Sequence, residues 1–442
     1  MVNQSIKPGR NRVITMKNTI KLRTNVAGEE LTTDIVSKKG TGMEKYLLED
    51  SISVKFPSDI TPISEGIIHI PALSTLLPVA WLTNTKVIVD AIDQTFYNQI
   101  PNIREGYQRL YPDLEFGGDR CIIVDRIIPT TSRNSTKQNA MLFSGGIDST
   151  ATYLRHEHET PYLYSIHGTD IDVNNREGWA QAMHFISEFA NDMNTASYSI
   201  QSDFKECLDT WLLYLHYGED IGRDWWGGIQ YYFALPGLCA PLAHHQGISN
   251  LYQASGYNQD RSYPEAQPYI VNEISWGNTT TKFDAEELSR QDKVQIIADA
   301  VDEQNHSITV RSCYKDELGE NCCKCEKCWR TTIGLLVAGT DSRKLGFDAD
   351  QELFDKIQNT FERSQITLSE PELTMWLEIQ QRAADNPLTT HDEFFDWFVQ
   401  FDLTQLSENG WDRVEFAAKV LRLLPYPTDK YGLEIIRKAT GR

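Results

Sequence analysis

The stretch Ala140-Met141-Leu142-Phe143-Ser144-Gly145-Gly146-Ile147-Asp148-Ser149-Thr150 decides how the chain folds. Met141 to Phe143 is an apolar run of the length a short buried strand needs, and the residues after Gly146 open a helix. A turn from strand to helix aims consecutive backbone N–H groups outward at the positive end of the helix. Phosphate binds at such a turn. Gly145 and Gly146 let the backbone come close to an anion and adopt positive φ, while Ser144, Ser149 and Thr150 add hydroxyl donors. The lysine of G-x-x-x-x-G-K-[S/T] is missing, so this is not a Walker A loop. The position of Asp148 leaves two roles open: shaping the loop, or helping to hold Mg²⁺.

Outward from the loop, strands alternate with helices. Tyr162 to Ile166, Ala196 to Ile200 and Ile248 to Gln253 read as further strands. Trp179, Met183, Ile186 and Ala190 recur at helical spacing between two of them, as in a crossover helix packed on a sheet. This alternation predicts an α/β fold, a parallel sheet with flanking helices, over residues 140–339. Ser289, with Asp292 three positions on, is the N-cap of a helix continued by Val294, Ile297 and Val301. Lys293 sits in its first turns, where a cation is disfavoured by about 0.3–1 kcal/mol unless an anion lies nearby. Residues 1–50 are polar, an arm or a poorly specified strand pair. Residues 51–139 carry β-rich runs at Lys86 to Asp90 and Cys121 to Asp125, with a helix around 91–110, and are read as an accessory α/β domain. Residues 340–442 are an acidic, aromatic helical region. Its run Phe394-Phe395-Asp396-Trp397-Phe398 reads first as that region's own core, with a partner-docking surface as the alternative.

Five of the eight cysteines fall between Cys313 and Cys328. Cys313-x8-Cys322-x2-Cys325-x2-Cys328 offers the four thiolates of a closed tetrahedral zinc site, with Cys313 arriving from an expected strand at Ile308 to Val310. Four thiolates leave no open position, so zinc here is structural. Cys323 is an alternative to Cys322, and a redox pair or an iron–sulfur cluster is the other chemistry this spacing allows.

The string S-G-G-x-D-S after a strand resembles the PP-loop ATP pyrophosphatases, and the downstream C-x8-C-x2-C-x2-C narrows the likeness to the 7-cyano-7-deazaguanine synthase (QueC) family. The resemblance covers residues 140–339. It implies an adenine nucleotide alpha hydrolase-like (HUP-type) domain that adenylates a carboxylate such as 7-carboxy-7-deazaguanine. Pyrophosphate is released, and ammonia or a protein amine then attacks the adenylate. Residue by residue it implies ATP contacts at Ser144, Gly145, Gly146, Asp148, Ser149, Thr150, His167 and Lys293, with Asp148 and Lys293 catalytic. Asn258, Asp260, Tyr263 and Glu265 fall where that family binds its substrate, and Ser312-Cys313-Tyr314 and Arg330 match its pattern. Two departures stand out: the long terminal regions, and Ser165-Ile166-His167-Gly168 where an aromatic-Gly-Gln run is expected. His167 therefore lines the nucleotide pocket or only ends a strand. The elongated QueC-like proteins of antiphage clusters share the extensions, which by analogy implies antiviral defence and a protein partner or protein substrate. The alternatives are a PP-loop amidating ligase for another small acid and a catalytically idle nucleotide-binding subunit.

The 442 residues carry 42 Lys+Arg against 62 Asp+Glu, a formal charge of −20. That surplus repels a polyanion, so a nucleic-acid partner is not expected beyond a local basic pocket. The apolar run from Ile67 to Leu82 is broken by Pro71 and Pro78 and is too short for a membrane span. The first forty residues have no apolar h-region, and clustered thiols suit a reducing compartment, so a cytoplasmic location is expected.

Overall fold

Alternating apolar residues and short turns lay down strands that all join one sheet. In chain order they are β1 (Thr19–Ala27), β2 (Glu30–Ser37), β3 (Ser51–Lys55), β4 (Lys86–Asp93), β5 (Ile122–Ile128), β6 (Ala140–Leu142), β7 (Tyr162–His167), β8 (Ser197–Ser202), β9 (Asn250–Ala254), β10 (Ser275–Trp276) and β11 (Thr279–Asp284). The structure is a computed structural model and describes residues 18–37, 42–117, 121–129, 138–256, 268–302, 308–313, 321–385 and 392–407. The sheet runs β10-β11-β9-β6-β7-β8-β3-β2-β1-β4-β5. Its pairs are mostly parallel, the antiparallel ones being β1–β2, β2–β3, β3–β8 and β10–β11.

Helices cover both faces, as an α/β fold requires. On one face lie α1 (Ile70–Leu82) and α2 (Gln94–Leu110), with α5 (Thr210–Ile221) and α6 (Tyr231–Gln246) following β8. The prolines of α1 fall at its start and at Pro78, yet Leu73, Leu76, Leu77 and Trp81 are buried, and Trp81 stacks on Phe233 of α6 with ring centroids 6.3 Å apart. Each such aliphatic side chain contributes about 1.5–3 kcal/mol by leaving water. The run from Ile67 to Leu82 thus lies in the core, helical from Ile70, and among the described residues no helix is long and apolar enough to cross a membrane.

On the other face lie α3 (Ile147–Arg155) and α4 (Arg176–Asp192). The short α7 (Pro268–Val271) precedes β10 and packs with α2 and α6 of the first face, whereas α8 (Arg290–Asp302) follows β11 and packs on α3. The Ser289 cap is reciprocal, with Asp292 N donating to Ser289 Oγ at 3.0 Å and Ser289 N to Asp292 Oδ2 at 2.9 Å. Beyond it, α9 (Glu326–Val337) carries α10 (Gln351–Glu362), α11 (Glu370–Asp385) and α12 (Asp392–Phe398). Phe354, Phe361, Trp376, Phe394 and Phe398 form a separate apolar cluster that includes Trp329 and Ile333 of α9, in accord with the own-core reading of the C-terminal aromatics.

Within the first fifty residues β1 and β2 form a hairpin, which is the strand-pair alternative, and the sheet and its core include strands from both sides of the 139/140 boundary. One apolar cluster joins Ile20, Leu73 and Phe96 to Ile200, Phe233 and Trp276. The join is β3 against β8, a pairing of residues about 150 apart in sequence. The stretch Ile308 to Val310 is not a strand: Val310 N donates to Leu345 O and Arg311 N to Gly145 O, so it spans two partners with no ladder.

β6 is flanked by β7 on one side and β9 on the other, while the chain runs β6, β7, β8 outward and then returns to β9. In parallel sheets a crevice opens at the carboxyl ends of strands where the winding reverses. Ser144 to Gly146 leave β6 at that point.

Candidate functional site: a glycine loop beside a four-cysteine cluster

The loop is built by local backbone demands. Gly145 has φ +76°, and a Cβ there would lie 2.5 Å from Cε1 of Phe185 on α4, so both the dihedral and the packing call for glycine. Gly146 is the N-cap of α3 in extended conformation. Ser149 Oγ accepts from Ser144 N at 3.4 Å and donates to Gly146 O at 3.2 Å, which folds the loop back on the helix start. Thr150 is fully buried, with an Oγ1 that has no hydrogen-bond partner, and does not line the cavity.

A cavity of about 730 Å³ opens over this loop. Ser144, Gly146, Asp148 and Ser149 line it, together with the basic side chains Arg290, Arg311, Lys327 and Arg330 and the carboxylates Asp170, Asp224, Glu326 and Glu372. Asp148 is held from α8: Arg290 Nη2 lies 3.0 Å from Oδ2 and Lys293 Nζ lies 3.4 Å from Oδ1. With both oxygens engaged by cations, Asp148 has the contacts of a loop-shaping residue. Arg290 Nη2 also donates to Gly256 O at 3.1 Å, tying the segment after β9 to the glycine loop.

Lys293 is completely buried and donates to Ser255 O. Burial is the largest influence on its ammonium and lowers its pKa, with Asp148 opposing. Lys327, in the first turn of α9, is drawn down to about 7, by burial first and by the charges of Arg290 and Arg330 next. Arg330 pairs with Glu326 at 2.7 Å, and Glu326 in turn accepts from Trp376 Nε1 at 2.8 Å, so the C-terminal helices set the position of this wall.

The cysteine cluster lies directly behind. Sγ atoms of Cys313, Cys322, Cys325 and Cys328 all fall within 4.8 Å of one another, with Cys313–Cys325 at 4.0 Å, Cys322–Cys328 at 3.9 Å and Cys325–Cys328 at 3.5 Å. Tetrahedral ligation at about 2.3 Å per sulfur requires sulfurs roughly 3.8 Å apart, so the donor set fits a zinc-sized ion. Cys322 belongs to the cluster. Cys323, at φ +50°, instead directs its Sγ to Asn321 O at 3.6 Å. Asn321 Oδ1 accepts from the backbone N–H groups of Ser312 and Cys313, and Arg311 N donates to Gly145 O at 2.7 Å. Arg311 and Ser312 therefore link the cysteine site to the glycine loop.

His167 is buried, stacked on Trp179 with centroids 4.7 Å apart, and its Nε2 lies 2.9 Å from Asp172 O. It is not on the cavity wall, which matches the strand-end alternative. Asn258, Asp260, Tyr263 and Glu265 lie outside the described residues; Gly256, just before them, is on the rim. Sequence reading missed Arg290, Arg311 and Lys327. The available signal for Arg290 was its i, i+3 spacing to Lys293 on one helix.

Comparison with protein-family models, with curated proteins and with solved structures finds no match for this chain.

Proposed function

We propose that this chain is an ATP-dependent carbon–nitrogen ligase of the QueC type, with a HUP-type nucleotide site at the carboxyl end of β6. The observation that carries the reading is a cavity lined by Ser144, Gly146, Asp148 and Ser149 of the loop and by Arg290, Arg311, Lys327 and Arg330, with Lys293 buried behind Asp148 and off the cavity wall. Asp170, Asp224, Glu326 and Glu372 line the cavity too, and Glu326 takes up Arg330, so the basic residues at the glycine turn itself are Arg290 and Arg311, where a compact anion would be received. The pyrophosphate of ATP has that chemistry, and Mg²⁺ would accompany it as the nucleotide's own counter-ion.

In the proposed reaction a carboxylate oxygen of the acid attacks the α-phosphorus of ATP. The acyl–O–P bond forms as the bond to the β-phosphate bridging oxygen breaks, and pyrophosphate leaves. An amine nitrogen then attacks the acyl carbon, AMP departs with the bridging oxygen, and the nitrogen loses a proton. Backbone N–H groups of the loop and the buried cations stabilise the charge that builds on the leaving diphosphate. Zinc held by Cys313, Cys322, Cys325 and Cys328 would serve as a fixed brace for Arg311 and the loop.

The test is pyrophosphate release with ATP, Mg²⁺ and a panel of small carboxylic acids that includes 7-carboxy-7-deazaguanine. Release is expected with one acid and lost in Ser149→Ala. Release with a different acid of the panel would move the reading to another amidating ligase. No release with any acid, together with measurable ATP binding, would leave an idle nucleotide-binding subunit and refute catalysis.

A further inference from the structure

The far part of the cavity differs from its phosphate end. Leu142, Tyr164 and Ile166 from the sheet and Tyr232 and Leu235 from α6 make apolar walls. Among them stands Gln253, on β9 next to the phosphate-loop strand. Its neighbours Leu251 and Tyr252 are apolar or aromatic, and Tyr252 turns to the opposite side of the sheet, where it stacks on His156 at 4.0 Å. Gln253 is 1% exposed, lines the cavity, and neither Oε1 nor Nε2 has a hydrogen-bond partner.

A buried carboxamide with both ends unpaired is costly, because it gives up its bonds to water with no return. Gln230 is likewise buried and unpaired, but it does not line the cavity. At Gln253 the cavity offers the missing partner a place. The carboxamide is planar and presents one acceptor and one donor side by side. Its complement is a ring edge carrying a donor beside an acceptor, as an amino group next to a ring nitrogen or a ring N–H next to a carbonyl does. Flat apolar and aromatic walls suit such a ring.

We propose that Gln253 is a specificity-determining residue that reads the hydrogen-bonding edge of a planar nitrogen heterocycle, whose ring lies between the sheet and α6. The heterocycle is either the adenine of the nucleotide or the ring of the acid, so the inference deepens the ligase reading and shares its cavity. Binding, not turnover, tests it.

Isothermal titration of the full chain would use AMP, purine riboside 5′-monophosphate, 7-carboxy-7-deazaguanine and inorganic pyrophosphate as separate probes. In Gln253→Leu, affinity for AMP or for 7-carboxy-7-deazaguanine is expected to fall by about tenfold or more, the loss a bidentate edge contact implies. Whichever falls names the source of the ring. Purine riboside monophosphate, which lacks the amino group but keeps the ring nitrogen, should lose less affinity than AMP on the substitution if adenine is the ring read. Pyrophosphate affinity should not change. The ligand-free variant should unfold at higher urea than wild type, since its unpaired amide is gone; a purely structural glutamine would give the reverse. Unchanged affinity for both heterocycles, or no binding of either by wild type, overturns the inference. Loss of heterocycle binding in a protein that releases no pyrophosphate refutes the ligase reading and leaves this one intact.

Discussion

Lys293→Met separates function from stability at the loop. The ammonium is fully buried, donates to Ser255 O and stands 3.4 Å from Asp148 Oδ1. Removing it forfeits a hydrogen bond from a charged donor, about 1.5–3 kcal/mol. It also relieves the burial of an ammonium, a penalty of several kcal/mol. Deleting one member of a buried pair usually strands the other, but Asp148 has a side chain 23% exposed and keeps Arg290 at 3.0 Å. The balance is a variant as stable as wild type or more so by up to about 2 kcal/mol, with pyrophosphate release abolished. The pH dependence carries a sign. Burial lowers the folded-state pKa of Lys293, so across the window from that lowered value up to about 10.4 the unfolded chain holds a proton that the folded chain has lost. Wild-type stability relative to the variant should therefore rise with pH through that window and level off above it. Urea titrations at several pH values measure both quantities. A variant less stable than wild type by more than about 2 kcal/mol, with no pH-dependent difference, would mean that Lys293 holds the fold and that the argument from burial is wrong.

Gly145→Ala should cost about 1–3 kcal/mol, since it forces positive φ on a Cβ that meets Phe185, whereas Gly146→Ala should stay within about 1 kcal/mol because its nearest neighbour is Ser144 Oγ at 3.4 Å; equal unfolding midpoints for the two would refute the loop geometry. Cys325→Ser should lower bound zinc from about one per chain to near zero and weaken pyrophosphate release as well, because Cys313 and Arg311 link the cluster to Gly145; full zinc content by elemental analysis would contradict this. His156 is favoured as imidazolium chiefly by its hydrogen bond to Asp284, which raises its pKa. Its contribution, about 1 kcal/mol, is present in full below about pH 6.5 and lost as pH rises through the raised folded value. The stability difference between wild type and His156→Gln should shrink from pH 5.5 to 8.5, and a difference that grows would refute the pairing.

What was legible in the sequence was what local spacing dictates. The glycine turn, the crossover helix marked by Ile186 and Ala190, the reciprocal cap at Ser289 and the choice of Cys322 by its x2 step all follow from contacts within a few residues. The rest depends on partners far along the chain. Nothing near Val54 announces that it will pair with Ser202, because strand register is set by which faces become buried and that is decided by the assembled core. Arg290 looks like an ordinary charge at a helix start until the fold brings Asp148 and Gly256 to it. Gln253 looks like one polar residue in a strand; only the closure of α6 over the sheet removes its water and leaves its amide unpaired. Net charge has the same limit: a total of −20 excludes a broad polyanion surface, yet folding carries Arg290, Arg311, Lys327 and Arg330 from separate segments to one cavity, where they stand among the carboxylates of Asp148, Asp170, Asp224, Glu326 and Glu372. A site assembled from cations scattered through an acidic sequence is visible only when the sheet that gathers them is known.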